Sequence, residues 1–306
     1  MKCSEVISAA WSLTNAKKGL VWFGVVPTFF TMLVGLGYLS YQFLAFEISP
    51  FFGNKHFDFG KISTLTLDFA KDHSTISILL VIIAVLVVIF YFLVPPLCEG
   101  GLIGLIAAFH KKKEGVEIRD GIVIGFHHYF KMFEFGMFVS SFSFIEFLTI
   151  GSLTVRHLGA PTWVFILLGI IFVVSFLMGF LFIYSQNFIV LENRELMGAF
   201  GGSAKLVVSN FGQTLLMWFL MLLISIRVLI NVVLIFLIPL FVAFVANFFV
   251  SKVALTLGII LAILAGLVVI CIAAYLGGVL HVFTTASWTL TFLELDHQRA
   301  EKLLEK

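Results

Sequence analysis

An all-α bundle of transmembrane helices is the fold class predicted here, and three observations predict it. The 306 residues are 61% hydrophobic and only 12% charged, whereas a soluble domain carries roughly a quarter of its residues as Asp, Glu, Lys or Arg. A mean hydropathy of +1.12 cannot be hidden in one water-soluble core, because a folded chain of this size would need polar surface that this chain lacks. The apolar residues also come in long runs, at about 20–46, 76–109, 133–155, 162–190, 212–247 and 253–292. Each run reaches the roughly 20 residues that cross a bilayer's hydrocarbon layer. Soluble globular function classes are thereby excluded. The balance of 19 Lys+Arg against 17 Asp+Glu, +2 overall, is too even and too dispersed for a nucleic-acid partner.

The elements follow in chain order. Residues 4–18 place Val6, Ala10 and Leu13 on one face, the pattern of an amphipathic helix lying before a span. No small-residue cleavage site closes the apolar run after it, so the first span is expected to be retained. The outer connection, about 47–75, mixes aromatics with charges of both signs and reads as an interfacial cap or a partner surface. In the second run, Pro95 and Pro96 predict a kink. Residues 120–133 carry Ile122, Phe126, Tyr129, Phe130 and Phe133 as a second amphipathic stripe, and residues 194–211 carry Leu196, Phe200, Ala204, Val207 and Phe211 as a third. The fifth run holds Arg227 and Pro239, so it reads either as one span or as a span followed by a re-entrant piece. The chain is thus a single integral membrane domain, 1–306, with units 1–110, 111–191 and 192–306. Each unit would be an amphipathic helix plus a two-span hairpin, repeated about the membrane normal. Any six-span chain also divides into three hairpins, so hydropathy alone leaves that division open.

Cations set the expected topology, because short cytoplasmic loops retain Lys and Arg. Thirteen of the 19 lie in the termini and the connections at 110–132 and 191–211, against five at Lys55, Lys61, Lys71, Arg156 and Lys252, with Arg227 inside a run. Both termini are therefore expected in the cytoplasm and the protein in the cytoplasmic membrane. Trp11, Trp22, Trp163 and Trp288 fall near span ends, as interfacial anchors do, while Trp218 is deeper.

The two long cytoplasmic connections, PPLCEGGLIGLIAAFHKKKEGVEIRDGIVIGFHHYFKMFEF at 95–135 and YSQNFIVLENRELMGAFGGSAKLVVSNFG at 184–212, with the opening W11SLTNAKKGLVWFGVVP, carry a resemblance. They resemble a broad group of six-helix prokaryotic membrane proteins of unassigned role. That group is similar to the membrane domain found beside some glycerophosphodiester phosphodiesterases, and more distantly to the CysZ-like sulfate permeases. The resemblance covers most of the chain but is topological. It implies a fold and a membrane location and carries over no catalytic residue.

Chemistry is sparse. Charges inside a span are the sharpest candidates, since an unpaired one at the bilayer centre costs at least about 2.5 kcal/mol. Glu146 sits in SFSFIEFLTIG and Arg227 in LISIRVLIN, four residues before Asn231. They read either as a relay or anion clamp or as an ion pair that sets helix register. Glu99 in the second span and His281 in the sixth can also face the interior. After Gly277 and Gly278, His281 reads as a close-packing position with one hydrogen bond. His127 and His128 are expected at the headgroup level. Lys111, Lys112 and Lys113 form a compact cytoplasmic cluster, read as a positive-inside anchor or as contacts to anionic lipid headgroups. Gly24, Gly35 and Gly37, the G100GLIG run, and Gly277 with Gly278 are small-residue stretches at which helices can approach closely.

Cys3, Cys98 and Cys271 show no metal or disulfide spacing. No metal, no cofactor and no catalytic constellation is expected. The leading functional expectation is a non-catalytic integral membrane protein, structural, accessory or lipid-associated, whose partner is the bilayer. The alternative is a small-solute or ion permease using Glu146 and Arg227.

Overall fold

The computed structural model describes residues 3–47, 71–72, 74–111, 115–142, 151, 162–246 and 252–304. Every regular element among them is helical: α1 Cys3–Ala16, α2 Leu20–Glu47, α3 Ser74–His110, α4 Ile118–Ser140, α5 Thr162–Leu181, α6 Ser185–Leu191, α7 Leu196–Ser209, α8 Phe211–Ala246 and α9 Lys252–Leu304. Five stretches of these helices are long and apolar enough to cross a bilayer: Leu20–Gly37, Ser77–His110, Thr162–Leu191, Phe211–Ile230 and Gly266–Arg299. This is a multi-pass membrane bundle. Of the remaining expected segment, 133–155, the part after 142 lies outside the described residues apart from 151. The outer connection at 48–70 lies outside them as well.

Local chemistry sets the breaks. Between α1 and α2 the Lys17 N–H still reaches the Leu13 carbonyl, and the Leu20 N–H turns back to the Lys17 carbonyl. Between α3 and α4, Gly115 takes φ +76, a left-handed conformation that glycine adopts without a Cβ clash. A capping box then opens α4, with the Glu117 N–H donating to the Asp120 carboxylate at 2.9 Å. Asn210 separates α7 from α8 at φ −128, ψ 40, and its side-chain amide donates to the Leu206 carbonyl. Where α5 gives way to α6, the Ser203 hydroxyl accepts the Tyr184 N–H at 3.1 Å and donates to the Leu181 carbonyl at 2.7 Å. Backbone groups freed by that break therefore stay paired in an apolar setting, as the membrane requires. By contrast, α3 runs through Pro95 and Pro96. α8 is unbroken over 36 residues, so the fifth run is one helix without a separate re-entrant piece.

The three expected amphipathic stripes behave differently. In α1, Val6 and Ala10 are buried, and in α7, Phe200 and Val207 are buried, so both helices dock their apolar faces on the bundle. α4 does not stop near 133 but continues to Ser140, because no turn residue interrupts it. Its apolar residues Ile122, Phe126 and Phe130 point outward, whereas Gly121, Gly125, His128, Met132 and Phe135 are buried. Lipid rewards this inversion: apolar side chains are at home outside, and small residues let backbones meet inside.

Two crossings hold the helices together. α2 meets α9 where a Cβ on Gly24 would run into the Gly278 carbonyl oxygen, and one on Gly278 would run into the Val25 backbone. α3 and α4 run antiparallel and meet where Gly101 abuts the Gly121 carbonyl and Gly125 abuts the Leu97 carbonyl. His128, beside Gly100, is buried at this second crossing, while His127 is exposed. Burial, with His127 and Lys131 adding their charge, holds the His128 imidazole below its ordinary range, so this contact carries no buried cation near neutral pH.

Around the crossings lie two cores. One joins Val6, Ala10, Leu20, Phe23, Leu102, Leu105 and Ile106 to Met217, Val282 and Ala286. The other is aromatic, with Phe182 stacked on Phe200 at 4.2 Å and Phe188 edge-on to Phe292 at 4.8 Å.

Substituting Gly24 by Val is expected to cost roughly 1–3 kcal/mol, because the clash is with backbone and cannot relax by a rotamer change. Gly35→Ala, where a Cβ meets nothing within 4 Å, is expected to leave stability unchanged or raise it by up to ~1 kcal/mol through helix propensity. Thermal unfolding followed by size-exclusion chromatography in detergent compares the two.

Candidate functional site

The structure brings together one pair of the polar residues picked out from sequence. His281 on α9 reaches Glu99 on α3 with Nε2 to Oε2 at 2.6 Å, and the Thr285 hydroxyl donates to Glu99 Oε1 at 3.4 Å. These three residues are 186 positions apart in sequence at the longer separation. What aligns them is α9 itself, since His281 and Thr285 are four residues apart and share a face. Side-chain exposure is 15% for Glu99 and 37% for His281, so the pair is sheltered but not sealed.

The other intramembrane candidates fall only in part among the described residues. Glu146 lies outside the described residues. Arg227 occupies an exposed position on α8 and takes part in an interaction of its own, and Asn231 follows it one turn later on the same helix. Lys111 is exposed just after α3, while Lys112 and Lys113 lie outside the described residues. Trp288 is half-buried, with its ring 5.7 Å from that of Tyr184.

A larger feature was not anticipated from the sequence. Between the α1–α2 turn, α8 and α9 runs a groove of about 610 Å³, within the roughly 300–1,000 Å³ range of small-molecule sites. Its ends differ. Trp11, Asn15 and Lys18 stand at the α1–α2 turn, and beyond them the walls are Val21, Val25, Val228, Leu276, Val279 and Leu280. Trp11 meets Phe283 edge-to-face at 5.9 Å and is still 55% exposed, and Trp22 is 67% exposed. The α1–α2 turn is itself positioned by contacts to α3 and α4. Lys17 Nζ lies 4.9 Å from the Phe109 ring centroid, and Gly19 abuts Ile118. Lys17 and Lys18 are thereby gathered beside the chain positions of Lys111 and Arg119. On the opposite flank, Lys131 Nζ donates to the Asn193 side-chain and main-chain oxygens at 2.8 and 3.1 Å, which ties α4 to the α6–α7 connection.

The sequence signals for this groove were Trp11 and Trp22, taken singly as interfacial anchors, and the Lys17–Lys18 pair, counted only toward topology. Positions 11, 14 and 15 share a face of α1 and 22 and 25 share a face of α2, but which faces meet depends on the turn at 17–19 between them. No family model, characterised protein or solved structure matches this chain. Its chemistry has to be read from its own residues.

Removing one member of the Glu99–His281 pair leaves the other in a low-dielectric interior. His281→Leu is therefore expected to lower stability by about 2–5 kcal/mol, toward the low end because the imidazole is part-exposed. The double change Glu99→Met with His281→Leu is expected to cost less than the single one, and a double-mutant cycle on melting temperature measures the coupling.

Proposed function

We propose that this chain is a non-catalytic, lipid-associated protein of the cytoplasmic membrane, with both termini in the cytoplasm. In this reading the groove at the α1–α2 turn seats an anionic phospholipid. The observation that carries it is the graded groove itself, with a lysine, an amide and an indole at one end and an aliphatic trough leading away. A phospholipid has the same polarity order, a charged phosphate above acyl chains. Lys18 would meet the phosphate, Asn15 would hydrogen-bond the ester region, and Val25, Val228 and Leu276 would flank a chain. The gathering of Lys17, Lys111 and Arg119 nearby supports the choice of an anionic headgroup, at roughly 1 kcal/mol per basic residue near the surface. The exposed tryptophans support placing this end at the interface. The docking of α1 and α7 on the same side as the basic connections supports a cytoplasmic assignment for that side.

In native mass spectrometry after extraction in mild detergent, the wild type is expected to retain one phospholipid of anionic headgroup per chain. Lys18→Gln is expected to lower that retention about fivefold, the equivalent of ~1 kcal/mol. Val279→Trp, which fills the trough, is expected to remove it. Equal retention by all three proteins would sink the proposal. The topology is checked separately in intact cells, where a cysteine placed at Lys205 should resist a membrane-impermeant maleimide added from outside.

A further inference from the structure

A second cavity, of about 260 Å³, opens where Glu99 and His281 meet, between α3, α4, the α5–α6 break and α9. It is separate from the groove at the α1–α2 turn and sits on another face of α9. Its walls hold an unusual set of polar groups for a bundle interior. The Glu99–His281 contact and the Thr285 hydroxyl occupy one side. Asn187, 3% exposed, and Thr289, fully buried, also line it, and neither Asn187 Oδ1 nor Thr289 Oγ1 has a hydrogen-bond partner among the described residues. Orphaned polar atoms at such depth are costly unless something in the cavity bonds them. Phe135, Phe182 and Trp288 complete the walls with apolar surface.

We infer that this chamber is a binding site for a small uncharged hydrogen-bonding solute, of the size of urea, acetamide or glycerol. Charge selects against ions. The Glu99 carboxylate is already engaged by His281 and Thr285, so among the described residues the chamber wall offers an ion no unengaged counter-charge. Hydrogen bonding selects for polarity, since the Asn187 carbonyl needs a donor and the Thr289 hydroxyl can both give and accept. Size selects for a small molecule, since the volume holds the equivalent of about nine waters at roughly 30 Å³ each and falls below the range of drug-sized sites.

The test uses the full chain in phosphatidylcholine nanodiscs and saturation-transfer NMR with matched probes of like shape: urea against guanidinium, acetamide against acetate, and glycerol. A saturable signal is expected from at least one neutral probe and from neither ion. Ile183→Phe, which fills the chamber from an apolar wall, is expected to abolish it. Asn187→Leu and Thr289→Val are each expected to weaken binding about fivefold, as loss of one hydrogen bond does. If no neutral probe gives a saturable signal, the chamber holds only water and the inference is overturned. A signal from guanidinium or acetate equal to that of its neutral partner overturns it too, as does a signal that persists in Ile183→Phe. Because Ile183→Phe leaves every polar group in place, it decides the matter even if Asn187→Leu fails to fold.

Discussion

Close backbone approach at glycine is the constraint on which this bundle depends. In a bilayer, burying a leucine against another helix gains little over leaving it in lipid, so helix association must come from tight packing and from interhelical polar contacts. Both glycine crossings meet that need, Gly24 with Gly278 for α2 and α9, and Gly101 with Gly121 and Gly125 for α3 and α4. With these four helices fixed, the positions of the others follow. α1 covers the α2–α9 seam through Val6 and Ala10, and α7 closes the aromatic core through Phe200. The Glu99–His281 contact links α3 of one crossing to α9 of the other.

The same constraint explains where aromatic residues are concentrated. Rings fill the widening space beyond a close crossing, and Phe138, Phe182 and Phe200 lie within 4.2 to 6.1 Å of one another there. The inverted face of α4 belongs to this logic too. Phe126 and Phe130 are 65% and 78% exposed, a waste in water but an ordinary lipid-facing surface in a membrane.

How much was legible in the sequence depended on the range of the interaction. Helix class and span length are written in runs of apolar residues, and they were readable because each needs only about 20 consecutive positions. The breaks at Lys17–Gly19 and Asn210 were readable for the same local reason. The α4 stripe was legible as a stripe, but not the side it faces, because hydrophobic periodicity reports a face without saying whether its neighbour is protein or lipid; the GxxxG spacing of Gly121 and Gly125 marked the face that packs. Glu99 and His281 were both singled out, but their meeting could not be read, since it joins helices far apart in the chain. The hydroxyls of α9 were passed over, although Thr284, Thr285, Ser287, Thr289 and Thr291 crowd into eight positions of an otherwise apolar helix. Two of them explain themselves locally, with Ser287 donating to the Phe283 carbonyl and Thr291 to the Ser287 carbonyl. Thr285 and Thr289 do not, and with Thr284 they line the chamber beside His281.

α9 therefore carries two different surfaces. His281, Thr285, Trp288 and Thr289 recur at three- and four-residue intervals on one face, while Leu276, Val279 and Phe283 do so on another. At about 100° per residue the two rows are separated by roughly half a turn. The first row borders the polar chamber and the second borders the groove at the α1–α2 turn. A rigid helix shared by both sites transmits rotation about its axis from one to the other, since neither row can turn without the other. What resists such rotation is Gly278, locked against the Val25 backbone just before His281. The glycine crossing that builds the bundle is thus also what keeps the polar face on the chamber and the apolar face on the groove, and a side chain at Gly278 would disturb both sites from a position that lines neither.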